Sequence, residues 1–276
     1  MLIVLSALAD FHMEKPAKPT NYAADILNDV NQCRKAFKNI TEKKDNYFIP
    51  ISNALACYYG PLDKTSVDQA LKWSQSNTSN ESHVLVVKSP GGDANLGILL
   101  GSSLLSHHTT VAVDDICLSS CANYIFLPAF KKYITPYSLV VFHGGVAKSM
   151  VADILQSNIA DEQKELAKNS LKILYYKQDK LFKLGNINGT FLENYYNAKK
   201  FSKKDLLNCT NRKLDVTGII LTPHQYKIIG ADVEGYIASS VDDLLASLSR
   251  QGKNDKSLCI APYYLFKNIK ISHRQL

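Results

Sequence analysis

Several things are scarce in this 276-residue chain, and each scarcity excludes something. Thirteen glycines and nine prolines are too few for a collagen-like or low-complexity polymer. No apolar run approaches the roughly 18 residues that cross a bilayer, which leaves no candidate for a membrane-spanning helix. The excess positive charge is only +7, which permits an acidic partner without demanding one. No Cys-x-x-Cys pair or Cys/His ligand spacing occurs, so no zinc site is expected. No nucleic-acid-binding motif, internal repeat or low-complexity linker is present.

What is present suffices for a core. Hydrophobic residues make up 46% of the chain, and 25 residues are Phe or Tyr. The apolar opening Met1–Ala9 ends in a small-x-small pattern at Ala7-Leu8-Ala9, ahead of a Pro/Lys-rich stretch. That reads as the apolar core and cleavage site of an export leader over residues 1–20, although the usual basic start is missing. The expected location is therefore periplasmic or otherwise exported, with cytoplasmic the alternative. Six cysteines, an even number, lean towards an oxidising compartment. They allow 15 pairings, which spacing cannot resolve. Cys117 and Cys121 are either bonded to each other or two small core residues, and they read as reduced, buried cysteines.

Residues 21–50 read as a helical extension ending in a charged turn, Glu42 to Asp45. Over 51–147 strand and helix alternate. Thr65 to Asp68 resembles a capping box opening a helix through Trp73. Val84–Val87 is a strand that breaks at Ser89-Pro90-Gly91-Gly92 into a helix, Leu96–Leu105. Thr110–Val113 is a second strand, Asp114–Ser119 a turn, and Cys121–Leu127 an apolar helix. Ser138–Phe142 is a third strand, running into His143-Gly144-Gly145. This alternation implies an α/β fold with right-handed crossovers and a largely parallel sheet. Residues 148–213 read as Lys-rich helix, with Val151, Leu155, Ile159, Leu166, Ile173, Leu174 and Leu181 at near-heptad spacing. Residues 214–276 return to mixed strand and helix.

Sites in such sheets form at the carboxyl ends of strands. Here three strand ends carry a glycine pair, a serine and a histidine, the parts that acyl transfer needs. A serine hydroxyl becomes nucleophilic when a neighbouring base takes its proton, and His143 is the candidate base. Ser119 at a helix start sits where the dipole favours a developing oxyanion. The glycine turn offers N–H groups with no Cβ in the way.

Val86-Val87-Lys88-Ser89-Pro90-Gly91-Gly92, then Cys117-Leu118-Ser119-Ser120-Cys121-Ala122, then Val140-Val141-Phe142-His143 resembles the ClpP serine protease family of the ClpP/crotonase superfamily. The Cys-x-Ser-x-Cys pattern resembles its exported members most. The resemblance covers residues 57–148 and returns faintly at Leu221-Thr222-Pro223 through Gly230. It implies repeated β-β-α units over residues 51–237, with 148–213 as a helical assembly segment and 238–276 as a C-terminal extension. It also implies a peptidase with Ser119 as nucleophile and His143 as base. The oxyanion hole would comprise the N–H groups of Gly92 and Ser120, with Gly91 shaping the turn. The family's aspartate position falls on Gly218, so Asp215 is the nearest third member, Asp232 a poorer one, and a Ser–His dyad the remaining option.

Ser120 as nucleophile and a Ser–Lys pair using Lys148 are the competing assignments. A catalytically weak or inactive scaffold on the same fold and a crotonase-type acyl-CoA enzyme are the competing functions. No cofactor is implied. The expected partners are a peptide or protein substrate and further copies of the chain, with no nucleic acid. Residues 148–213 hold 13 Lys/Arg against 7 Asp/Glu, whereas 51–147 hold 5 against 6. The basic balance thus belongs to the helical segment, which suits assembly or contact with an anionic surface.

Overall fold

The computed structural model describes residues 21–38, 47–76, 83–198, 201–211, 215–253, 257–267 and 269. The expected leader over residues 1–20 and the charged turn at Glu42–Asp45 lie outside them. Among the described residues no helix is long and apolar enough to cross a membrane.

A seven-stranded, mostly parallel sheet organises the chain. Helix α1 (Asn21–Lys38) precedes the antiparallel pair β1 (Phe48–Pro50) and β2 (Leu55–Tyr59). Then come α2 (Lys64–Ser76), β3 (Val84–Ser89), α3 (Ala94–Ser106) and the nine-residue β4 (Thr110–Leu118). A π-helix over Cys121–Phe126 leads to β5 (Lys131–Ile134) and β6 (Leu139–Val141). The strand order is β1-β2-β3-β4-β5, closed at the far edge by β8 (Glu234–Gly235). Strands β2 to β5 and β8 run parallel. Both faces are covered, so the strands are continuous apolar runs with alternating destinations. In β3, Val84 and Val86 pack against α1, whereas Leu85 and Val87 face α2, α3 and the π-helix.

Strand β4 serves two neighbours. Its first half pairs with β5 (Thr110↔Lys131 to Val113↔Ile134), and its last three residues pair with β6 (Ile116↔Leu139 to Leu118↔Val141). The change falls at Asp114-Asp115, which the sequence reads as a turn and the structure keeps inside the strand. Asp115 has φ +69°, and the register against β3 shifts at the same place. Buried Asp114 is held by Arg34 of α1 (2.5 Å) and by the Tyr59 hydroxyl. Asp115 pairs with Lys88 (2.6 Å). The expected capping box at Thr65 also moves: α2 starts at Lys64, and the Asp63 carboxylate accepts from the Ser66 N–H (3.0 Å).

The segment after β6 is helical as expected, with α4 (Met150–Leu155), α5 (Asp161–Leu184) and α6 (Thr190–Asn197). Its near-heptad stripe does not form a core, however. Leu155, Ile159, Leu166 and Ile173 are exposed, while Leu181 is buried. Strand β7 (Gly218–Ile220) is followed by α7 (Pro223–Ile228), α8 (Val241–Arg250) and β9 (Leu258–Ile260), which pairs with β7 in a second, two-stranded sheet.

All six cysteines are bonded, which corrects the reading of Cys117 and Cys121 as reduced. Cys33–Cys57 fastens α1 to β2, Cys209–Cys259 fastens the chain before β7 to β9, and Cys117–Cys121 spans the β4–π-helix turn.

Lys132 of β5 is 6% exposed and donates to the Ala129 carbonyl (2.8 Å). Burial pulls its ammonium down to about 8, with Asp232 opposing in part. Between about pH 8 and its ordinary 10.5, the unfolded chain therefore holds more protons, and stability rises with pH across that window. At 1.36 kcal/mol per pH unit, less about 1 kcal/mol for the lost hydrogen bond, Lys132→Met is expected to stabilise the protein by about 2 kcal/mol at pH 7. It should also flatten the alkaline rise. Urea denaturation at pH 7 and pH 10 checks both, and a variant less stable than wild type at pH 7 would contradict the assignment.

Candidate active site

Ser119 sits at the elbow between β4 and the π-helix, half-buried, with φ +57°. A non-glycine residue in the left-handed region is strained and needs its surroundings to hold it there. Three bonds do so. The Ser119 N–H donates to Val141 of β6 (3.0 Å), its carbonyl accepts from Asn123 (2.8 Å), and Cys117–Cys121 closes the turn covalently around it. The helix that follows is of the π type, a rare form that is frequent at functional sites.

The glycine turn lies directly against this elbow. Gly91 has φ +88°, and a Cβ added there would stand 2.6 Å from the Leu118 carbonyl oxygen and 2.8 Å from the Ser119 Cβ. Its own N–H is taken by the Ser89 hydroxyl (3.1 Å), and its carbonyl accepts from Leu62 (2.8 Å). The Ser120 hydroxyl donates to the Gly92 carbonyl (2.8 Å), linking the two turns. Ser120 is thereby buried with its hydroxyl occupied, whereas the Ser119 hydroxyl makes no hydrogen bond among the described residues. Among the described residues no hydrogen bond engages the N–H of Gly92 or of Ser120. Two unused donors thus flank Ser119.

His143 follows Phe142, whose N–H and C=O exchange bonds with Ile219 of β7 (2.8 and 2.7 Å). Because β6 runs parallel to the end of β4, His143 leaves the sheet at the same end as Ser119. The imidazole is exposed, and no hydrogen bond joins it to the Ser119 hydroxyl. Such contacts are often long before substrate binds.

The antiparallel bridge Phe142↔Ile219 puts Gly218 opposite His143. That is the position where the resemblance requires an aspartate. A Cβ at Gly218 would lie 2.5 Å from Val141 Cγ1 and 2.9 Å from the Phe142 carbonyl oxygen, so no side chain fits. Asp215 lies three residues earlier, exposed, and makes no hydrogen bond or ion pair with another described residue. At about 3.3 Å per extended residue, it starts roughly 10 Å along the chain from Gly218. Asp232 acts on Lys132 instead. Lys148 stacks over the Tyr175 ring at 5.2 Å, so it is committed elsewhere than to Ser119.

Two residues that sequence reading passed over hold the histidine loop. Asn123, one turn after Ser119, donates from Nδ2 to the Gly144 carbonyl (2.6 Å), while its buried Oδ1 has no partner among the described residues. Gln178 of α5 accepts from the Val146 N–H (3.0 Å) and the Tyr124 hydroxyl (2.8 Å), and donates back to the Val146 carbonyl (2.9 Å). Burial pushes the Tyr124 phenol up to about 12, so it remains a donor. Asn123 carried a signal, as an amide inside an apolar run. Gln178 carried none among the polar residues of α5. The pair His107-His108 is structural: the His107 ring caps the Ser103 carbonyl (2.8 Å), and His108 packs edge-on against Phe130.

No cluster of His, Cys, Asp or Glu suited to a metal ion occurs among the described residues. No protein-family model matches the chain, and comparison with curated proteins finds no significant match.

Proposed function

We propose that the chain is a serine hydrolase of the ClpP/crotonase kind, most simply a peptidase, working through a Ser119–His143 dyad. The observation that carries this reading is the strained Ser119 elbow flanked by the unengaged N–H groups of Gly92 and Ser120. The Ser119 hydroxyl attacks a substrate carbonyl while His143 takes its proton. The oxygen that becomes negative accepts from the two N–H groups, whose positions are fixed beforehand by the Ser120–Gly92 and Ser89–Gly91 bonds. His143 then protonates the leaving group, and water attacks the acyl-serine with His143 again as base. The Gly144 and Val146 backbone, held by Asn123 and Gln178, does the orienting that a carboxylate does elsewhere. The exposed apolar stripe of α4 and α5 suits contact with further copies of the chain, and three disulfides suit an exported protein.

The lack of a carboxylate at Gly218 favours one other reading, a catalytically silent binding protein on this fold. A fluorophosphonate probe separates the two. Wild type should label, Ser119→Ala and His143→Ala should not, and Ser120→Ala should label at a reduced rate. A wild type that takes no label while folded would sink the hydrolase reading.

A further inference from the structure

Beside the elbow lies a cavity of about 480 Å³. Pro90 and Leu118, the residues immediately before Gly91 and Ser119, form its near wall. Ile116, Leu248 and Leu258, all buried, form its floor. Thr217 stands exposed at its mouth. Two of the floor residues come from α8 and β9, in the C-terminal extension for which the resemblance supplies no counterpart. These elements pack Leu244, Leu248 and Leu258 against Ile116, Leu139 and Val141, covering the sheet face behind the nucleophile but leaving this opening next to it.

Resting on the hydrolase reading, we infer that this cavity binds the aliphatic acyl portion of the substrate whose carbonyl reaches Ser119. Its lining is mostly hydrocarbon, and the two lysines in it, Lys88 and Lys253, both pair with Asp115, so a charged group entering it would lose hydration for little in return. At about 30 Å³ per water-sized group, it holds roughly sixteen such groups, more than one amino-acid side chain fills. The shared chemistry is a long or branched aliphatic group on the acyl side. Its source is either a fatty-acyl ester or a peptide with bulky aliphatic residues before the scissile bond.

The test measures kcat/KM for p-nitrophenyl acetate, butyrate, octanoate and decanoate, and for coumarin amides of peptides ending in Leu, Ala or Asp. Each added methylene should raise kcat/KM about 4-fold until the cavity is full. Leu-ending peptides should exceed Asp-ending ones by at least 10-fold, and the arm with the larger rise identifies the source. Thr217→Trp, which fills the mouth from its exposed side, should lower octanoate turnover at least 10-fold while leaving acetate within 2-fold. A flat chain-length series in both arms, or equal loss of acetate and octanoate in a folded Thr217→Trp protein, would overturn the inference. A binding arm keeps it separate from the catalytic reading. The Ser119→Ala protein should enhance N-phenyl-1-naphthylamine fluorescence saturably, and Ser119→Ala/Thr217→Trp should not. Dye binding blocked by the tryptophan, in a protein that hydrolyses nothing, would support the cavity and refute the hydrolase. No dye binding to Ser119→Ala would refute the cavity.

Discussion

Gly91→Ala is expected to slow fluorophosphonate labelling at least 100-fold while leaving the protein folded. The added methyl meets two backbone-fixed neighbours, the Leu118 carbonyl oxygen and the Ser120 N–H (2.6 and 3.0 Å), and the Ser119 Cβ (2.8 Å). None is the end of a flexible side chain, so the turn or the elbow must move. Loss of one oxyanion donor alone costs about 10²–10³ in rate, and on the proposed hydrolase reading a donor and Ser119 would shift together. Gly252→Ala provides the control, because Gly252 also has positive φ (+65°) but open space around it. That variant should lose about 1 kcal/mol of stability from backbone strain and no labelling. Labelling of Gly91→Ala within 5-fold of wild type would show that the glycine turn does not serve Ser119.

The largest loss of stability is expected from Gly101→Ala. Helix α3 crosses the π-helix with Gly101 against Tyr124, and a Cβ there would land on the Tyr124 carbonyl oxygen and 2.9 Å from its carbon. Overpacking usually costs 1–3 kcal/mol because side chains can shift. A backbone carbonyl inside a helix cannot rotate away, so the upper end applies, about 3 kcal/mol. At roughly 2–4 °C per kcal/mol in a chain of this size, Tm should fall by about 6–12 °C. Since the displaced π-helix begins next to Ser119 and Ser120, labelling should weaken even well below the new Tm. A Tm within 2 °C of wild type by calorimetry would mean that the two helices are not packed this closely.

Legibility in the sequence followed the physics of each segment. Strands β3, β4 and β6 are plain because runs such as Val84–Val87 are buried on both faces, and no helix signal competes with them. Strand β5 was missed because Lys131 and Lys132 open it. Burial of Lys132 is a tertiary fact that local pattern cannot carry. Asp114-Asp115 read as a turn because acidic pairs usually sit in turns. Arg34 and Tyr59, 80 and 55 residues away in sequence, make Asp114 tolerable inside a strand. The order of glycine pair, serine and histidine was legible as three strand ends on one edge of the sheet, because parallel strands put their carboxyl ends on the same side. Asn123 stood out as an amide in an apolar run, but what it and Gln178 brace could not be read, because that depends on which amides face the loop after His143. The misread stripe in α5 has the same origin: heptad spacing specifies a partner surface and leaves open whether this chain supplies it.

Strand β8 is two residues long, yet it finishes the main sheet by pairing Tyr133 with Glu234 and Ile134 with Gly235. About a hundred residues of intervening chain must be made before that pairing can form. At typical synthesis speeds of about 5–20 residues per second, the free edge of β5 stays open for several seconds or more on a nascent chain. Unpaired strand edges of that kind are where chains join one another wrongly. Lys131 and Lys132, charged while the chain is still extended, are placed on that edge and oppose such pairing. The lysine that burdens the finished protein thus protects the unfinished one.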